Sequence, residues 1–354
     1  WLGRSMAPGP LRGLLLDGVL SGAGAVLVFL PQILILFAFI LLLEDSGYLP
    51  RAAFLLDNVM GRVGLSGRAF IPLLSSFACA VPGIMATRTI ANWQDRLATI
   101  MVAPLMTCSA RLPVYALLIG AFVPDRAFGP INLRGLTLFV LYVAGVVSAM
   151  AVAWVFKRVW HRSGYQPLML ELPPYRAPGL RNLVLGLWER TRIFLRRVGT
   201  IIFALMVVLW FLSTWPVPPD GATDQAIRYS LAGQLGQLLQ PLVAPIGFNW
   251  QIAIALVPGL AAREVAVGAL GTVYALSAAG DNVAEQLAPV LAHSWSLATA
   301  YALLAWYVFA PQCLSTLAVV RRETNSWRYP LAMLVYLFAL AYLAAFITYR
   351  VALW

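Results

Sequence analysis

The chain has 354 residues, is 61% hydrophobic and only 11% charged, and has a mean hydropathy of +0.81. A soluble domain carries roughly a quarter of charged residues, so this composition excludes one and implies a polytopic membrane protein. The formal net charge of +11 comes from 24 Arg and a single Lys157, spread over loops without a clustered soluble face, which excludes nucleic acid as a partner and fits the positive-inside rule instead.

Residues 1–21 form a lead-in containing Gly, Pro and Arg, with a short amphipathic piece around residues 11–20 and no cleavable signal peptide. Val26 to Leu43 reads as a membrane span that ends abruptly at Glu44-Asp45-Ser46-Gly47. Residues 48–68 mix Arg51, Asp57, Arg62 and Arg68 with apolar residues and read as an amphipathic helix at the membrane surface. Residues 69–91 are apolar but contain Pro72, Pro82 and Gly83. An interrupted hairpin, broken at Pro82-Gly83, is expected there, because that pair removes a backbone bond and frees carbonyls. Leu97 to Val123 is a span interrupted by Pro104, Cys108, Arg111 and Pro113, and Leu136 to Phe156 is an uninterrupted one.

Residues 157–197 are the most basic loop, with a surface helix expected from about Pro178. Val198 to Trp215 spans; residues 226–246 look amphipathic; residues 250–274 form a second interrupted hairpin holding Pro258, Gly259, Arg263 and Glu264. Residues 277–294 read as a polar loop with Asp281 and Glu285. Leu297 to Val320 spans and contains Pro311-Gln312-Cys313, and Leu331 to Tyr349 is the last span.

Loops 44–68, 157–197 and 321–329 carry the Arg and are expected in the cytoplasm. Loops 124–132, 216–225 and 277–294 are expected outside, as are both ends of the chain. The fold expected is all-α: about six spanning helices plus two re-entrant hairpins, one from each side. The domain plan is a first repeat over 1–156, a basic linker over 157–197 and a second repeat over 198–354. A shift of 183 residues lays Gly64 on Gly247 and superposes segment 69–91 on 252–274. Inverted repeats with broken helices near the midplane are the usual plan of secondary transporters.

The three cysteines, Cys79, Cys108 and Cys313, are odd in number and lie in apolar surroundings, so no disulfide framework is implied. Each is either a small core residue or a ligand, and each sits beside a helix breaker or a charge. Thiols beside freed carbonyls suit a borderline divalent transition metal better than Mg²⁺ or Ca²⁺. Met85 and Met106 are further soft candidates, or core filler. Arg88, Arg111 and Arg263 are costly within a bilayer and are expected to be paired, with Glu44, Asp45, Glu264 and Glu323 as the available acids. There is no phosphate-binding loop, no H-E-x-x-H and no C-x-x-C, and no catalytic motif is found.

A run of motifs then carries a resemblance: Leu43-Glu44-Asp45-Ser46-Gly47-Tyr48-Leu49-Pro50-Arg51, Cys79-Ala80-Val81-Pro82 with Met85-Ala86-Thr87-Arg88-Thr89, Cys108-Ser109-Ala110-Arg111-Leu112-Pro113-Val114-Tyr115, Glu171-Leu172-Pro173-Pro174-Tyr175, Ala262-Arg263-Glu264-Val265, Gly271-Thr272-Val273-Tyr274 and Gln312-Cys313 with Arg322-Glu323-Thr324. In this order, over nearly the whole chain, they resemble the membrane (gate) domain of the FeoB family of bacterial ferrous iron transporters.

The resemblance implies a nucleoside-transporter-like gate fold that moves Fe²⁺ as substrate into the cytoplasm, in the bacterial inner membrane. The implied ligands along the path are Cys79, Cys108 and Cys313, with Met85 as a further one and Glu44 and Asp45 attracting the cation near the cytoplasmic mouth. Arg88, Arg111, Pro82, Arg263, Glu264 and Glu323 would brace the hairpins and the gate. The implied partners are the lipid bilayer, a GTP-binding domain in cis or in trans, small FeoA- or FeoC-like proteins and further copies of the chain. No nucleotide would bind this chain itself. The family's GTPase domain and first spanning helix are missing from this sequence, as are the further C-terminal span and Cys-rich tail of some members. Ala80 also stands where the family commonly has Asn, which removes one oxygen ligand. Transport of Mn²⁺, Zn²⁺ or a nucleoside-like solute, or a membrane scaffold that only docks a GTPase, are the competing readings.

Overall fold

A computed structural model describes residues 10–128, 131–160, 174–216, 229–261, 266–267, 270, 274, 282–311 and 313–354. The expected brace Arg263-Glu264 lies outside the described residues, as do 161–173 of the basic loop.

The six stretches expected to span all fold as helices. They are α1 (Ser21–Asp45), the pair α5 (Trp93–Val102) and α6 (Leu112–Phe122), α7 (Leu133–Trp160), α9 (Thr200–Thr214), the pair α13 (Leu297–Phe309) and α14 (Leu314–Thr324), and α15 (Arg328–Ala352). Between them lie the surface helix α2 (Tyr48–Val63), the hairpin α3 (Phe70–Ala78) and α4 (Ala80–Ala86), α8 (Leu180–Phe194), α10 (Leu231–Val243), α11 (Trp250–Ala261) and α12 (Asn282–Ser294). Among the described residues the extended structure is a two-residue antiparallel ladder, β1 (Ala127–Phe128) with β2 (Ile131–Asn132), in the turn between α6 and α7.

Two sequence expectations are corrected. The first hairpin does not break at Pro82-Gly83, because both lie inside α4. Proline is tolerated in a first turn, where backbone N–H groups have no intrahelical partner. The break falls at Cys79, which is extended at φ −156° and ψ 132°. Nor are residues 277–294 all polar loop, since 282–294 form α12. Leu287, Leu291 and Trp295 recur every four residues and are all buried, with Leu287 and Leu291 at 0% exposure. That stripe docks α12 on the core, and helical periodicity overrides the acidic residues around it.

Two further elements differ in detail. Helix α8 is continuous with α9 through a π-helical turn, Leu195–Gly199, with no cap or proline between them. A Cβ on Gly186 would come within 3.3 Å of Leu41, and one on Gly13 within 3.3 Å of Trp210, so this long helix runs antiparallel to α1 and its lead-in. Helix α11 runs through Pro258 and Gly259 to Ala261. The sharp turn of that region precedes it, a 110° bend between residues 246 and 250.

Two hydrophobic clusters form the core. One lies under the first hairpin and includes Ile84, Ile100, Leu105, Ala149 and Met333; the other includes Tyr115, Ile246, Ile252, Leu287 and Ala341. Helix α15 enters both, offering Met333 and Leu337 to the first and Ala341 and Ala345 to the second, all at 0% exposure. Small residues at four-residue spacing let long helices approach closely in lipid, where apolar burial alone drives little association. Helix α7 does the same with Gly145, Ala149 and Ala153, and a Cβ on Gly145 would lie 2.5 Å from Thr107 Oγ1.

Candidate functional site

Each cysteine occupies an extended residue immediately before a helical segment. Cys79 (φ −156°, ψ 132°) precedes α4; Cys108 (φ −81°, ψ 161°) precedes the 3₁₀ turn Ser109–Arg111 and α6; Cys313 (φ −164°, ψ 159°) precedes α14. Prolines flank two of the breaks. Pro82 supplies no N–H for the carbonyl of Ala78 four residues back, and that carbonyl accepts a hydrogen bond from Ser109 Oγ at 3.0 Å. Pro311 follows the last turn of α13, whose final backbone bond runs from Ala310 N–H to Trp306 O.

The Ser109–Ala78 bond joins the break at Cys108 to the break at Cys79. The helix that starts after Cys313, α14, is fastened to the first hairpin by an ion cluster at its far end. Arg88, at the end of the hairpin, donates from Nε and Nη2 to Glu323 at 2.8 and 2.5 Å, and Arg96 Nη2 of α5 reaches the same carboxylate at 2.7 Å. The Glu323 side chain is only 2% exposed. Its two hydrogen-bonded cations offset the cost of burying the carboxylate, and the Arg88 guanidinium, outside the spanning helices, holds its proton more tightly because of the hydrogen bonds and then the charge of Glu323.

Helices α4 and α14 pack on one another, and both end at this cluster. They therefore run in the same direction, with Cys79 and Cys313 at their shared opposite end. The cluster stands on the side where loop charges place the cytoplasm. Among the described residues no group of three or more His, Cys, Asp or Glu side chains is close enough to hold a metal ion. The three thiols stand at converging breaks without forming a closed cage. Met85, one residue before the end of α4, is half-buried.

Arg111 is fully buried at 0% exposure, as expected for a cation kept from lipid, but its partners among the described residues are not acids. Nη2 donates to Pro104 O at 3.1 Å and Nη1 to Thr107 Oγ1 at 3.4 Å, both in the break before Cys108. A broken helix exposes carbonyl oxygens, and a guanidinium with five donors satisfies them without a carboxylate. Glu44 and Asp45 are engaged elsewhere. Glu44 pairs with Arg190 at 3.2 Å; Asp45 binds Arg176 at 3.1 Å and the Gly179 N–H at 2.7 Å, tying the end of α1 to the start of α8.

Sequence reasoning missed Arg96, although it lies eight residues after Arg88 at the polar start of a span. It also missed Thr316, whose hydroxyl lies 3.1 Å from Cys313 Sγ, and the threonine's position three residues after the cysteine was the available signal.

Comparison with known proteins adds family likeness. A family model described as Gate, nucleoside recognition, matches residues 26–122 and 195–327, and one described as ferrous iron transport protein B C terminus matches residues 138–190. A Leptospira interrogans protein named Fe(2+) transporter FeoB is 42% identical over 369 residues, covering 99% of this chain and 52% of that protein. A Staphylococcus aureus protein of the same name is 40% identical over 342 residues, covering 96% of this chain and 49% of its own length. A Porphyromonas gingivalis protein named Fe(2+) transport protein A/Fe(2+) transporter FeoB fusion protein is 38% identical over 397 residues, covering all of this chain and 46% of that one. The chain spans about half the length of these curated relatives, and no solved structure matches it.

Proposed function

The chain belongs to the FeoB family, of which it carries the gate and C-terminal membrane regions, and we propose that it forms the permeation path through which Fe²⁺ enters the bacterial cytoplasm across the inner membrane. One observation carries this reading: Cys79, Cys108 and Cys313 each sit at the extended residue of a broken helix, the first two breaks joined by the Ser109–Ala78 bond and the third starting a helix packed on α4. Such breaks offer carbonyl oxygen and thiol sulfur side by side, a mixture that favours a borderline divalent metal. Ligands spread over several breaks bind strongly enough for entry and weakly enough for release, as conduction requires. Met85 adds a thioether on the same hairpin. Glu44 and Asp45, at the cytoplasmic end of α1, would raise the local cation concentration when their arginine partners let go.

Pro82, Arg88, Arg111 and Glu323 hold the breaks in place, and Arg263 with Glu264 would brace the second hairpin in the same way. The GTP-binding domain, in cis or in trans, would drive or regulate opening, with an FeoA-like protein as an accessory and further copies of the chain as possible oligomer partners. Uptake of Fe²⁺ into proteoliposomes holding the chain with its GTP-binding partner tests the reading. Cys79→Ser is expected to lower uptake by at least the roughly tenfold that loss of an outer-shell metal partner costs. Unchanged uptake would remove the thiol-ligand idea. Competition by a nucleoside, but not by Mn²⁺ or Zn²⁺, would replace the metal cargo altogether.

A further inference from the structure

Each cysteine has a buried hydroxyl beside its break, but the three hydroxyls are used differently. Ser76, at 0% exposure, donates to Pro72 O at 2.8 Å. Thr107, at 0% exposure, takes a hydrogen bond from Arg111. Thr316, at 2% exposure, instead faces sulfur: its Oγ1 lies 3.1 Å from Cys313 Sγ, and either atom can donate.

The local fold makes this contact. Cys313 occupies the N-cap of α14 in an extended conformation, and the Thr316 N–H bonds to the Cys313 carbonyl at 3.1 Å. Sulfur and hydroxyl are thereby placed over the same first turn, where a capping serine would ordinarily satisfy a backbone donor. No cap hydrogen bond is made by the Cys313 side chain. Its sulfur meets the Thr316 side chain instead.

We propose that Thr316 is a positioning residue for Cys313, fixing the sulfur toward the break so that it meets a soft divalent cation on passage. This rests on the reading of Cys313 as a cation ligand and deepens it. A hydroxyl suits the task because it both donates and accepts, so the contact survives whichever atom carries the hydrogen. Valine has nearly the same shape and does neither. Partners of this kind, one bond behind a ligand, set its orientation and affinity.

The test uses Co²⁺ alone as the probe, added to the purified chain in detergent or nanodiscs, with the sulfur-to-cobalt charge-transfer band as readout. Thr316→Val is expected to weaken Co²⁺ binding by about tenfold and to reduce that band, while Thr316→Ser restores both to within about twofold. Thermal unfolding of each variant checks that the fold is kept, and Thr316→Ala carries the same expectation should the valine variant not fold. Equal weakening by Val and Ser would make Thr316 a packing residue and overturn the proposal, as would unchanged binding in Thr316→Val. Cys313→Ser separates the two layers. If it leaves the Co²⁺ band intact, the thiol reading itself falls, and this proposal with it. If the band is lost in Cys313→Ser but not in Thr316→Val, only the positioning role falls.

Discussion

Gly64 and Gly247, one in each half of the sequence and 183 residues apart, adopt the same backbone. Each closes an amphipathic helical segment in the left-handed region, at φ 87° and φ 78°, just before an apolar segment that enters the core. In each half the end of a long helix covers the glycine. A Cβ would come within 2.0 Å of Lys157 Cδ on α7 at the first, and within 2.1 Å of the Tyr349 ring on α15 at the second. The surroundings then diverge. The first half is fastened by polar ties: Asp57 to the Gly67 N–H at 2.8 Å, Ser109 to Ala78 O at 3.0 Å, and Arg88 with Arg96 on Glu323, which reaches them from the second half. Rings hold the second, with Phe248 edge-on to Trp306 at 5.9 Å and Trp306 against Phe338 at 5.9 Å. The same backbone move is thus kept in place by charge and hydrogen bonds on one side and, besides the Thr299 hydroxyl on the Gly247 carbonyl at 3.0 Å, by aromatic packing on the other. The two halves are expected to fail in different ways.

Glu323→Gln gives the largest expected effect. It leaves two arginines facing a neutral amide, and because Arg88 is 53% exposed the cost is set near the lower end of that for a broken buried pair, about 3 kcal/mol. Hydrogen exchange is expected to rise over residues 70–89 while residues 231–257 keep their protection. A uniform rise across both halves would break the comparison. Gly247→Ala comes next, at about 2–3 kcal/mol, from the left-handed backbone and from displacing a packed ring. Gly64→Ala follows at about 2 kcal/mol, from the left-handed backbone and from Lys157, whose Cδ can swing aside but whose Cβ, 2.8 Å from the added carbon, cannot. Denaturation in detergent ranks the pair, and a larger loss at Gly64 would reverse the assignment of which half is rigidly packed. Arg190→Gln is the smallest: its pair with Glu44 is partly exposed and worth about 0.5 kcal/mol, so a melting shift beyond a degree or two would show that α8 is more than a surface tie to α1.

The spans were readable because lipid demands long apolar runs, and every such run from Val26–Leu43 to Leu331–Tyr349 became a helix. The position of the first break was misread because Pro82 breaks a helix only when it lies inside one; as the third residue of α4 it starts one instead, and Cys79 takes the extended backbone. Helix α12 was hidden by Asp281, Glu285 and Pro289, although Leu287, Leu291 and Trp295 already carried its period. The Glu323 cluster was half legible: charges in apolar sequence need partners, but a linear chain does not say that Arg88 and Arg96 converge across 235 and 227 positions. The partners of Arg111 were the least legible: Pro104 and Thr107 lie seven and four residues upstream, but nothing in the sequence says that the guanidinium takes a carbonyl and a hydroxyl there rather than an acid.

That last arrangement also bears on how the protein is made. Helix α6 has 11 residues, about 16 Å of rise, against a hydrocarbon layer of about 30 Å, so it does not cross a bilayer alone. It begins directly after a full positive charge whose hydrogen-bond partners among the described residues are the Pro104 carbonyl and the Thr107 hydroxyl. A nascent chain delivered to lipid one helix at a time would strand that guanidinium. Residues 93–122 are therefore expected to leave the insertion machinery as one folded unit, with both Nη groups of Arg111 already bonded and α7 close behind with Gly145, Ala149 and Ala153.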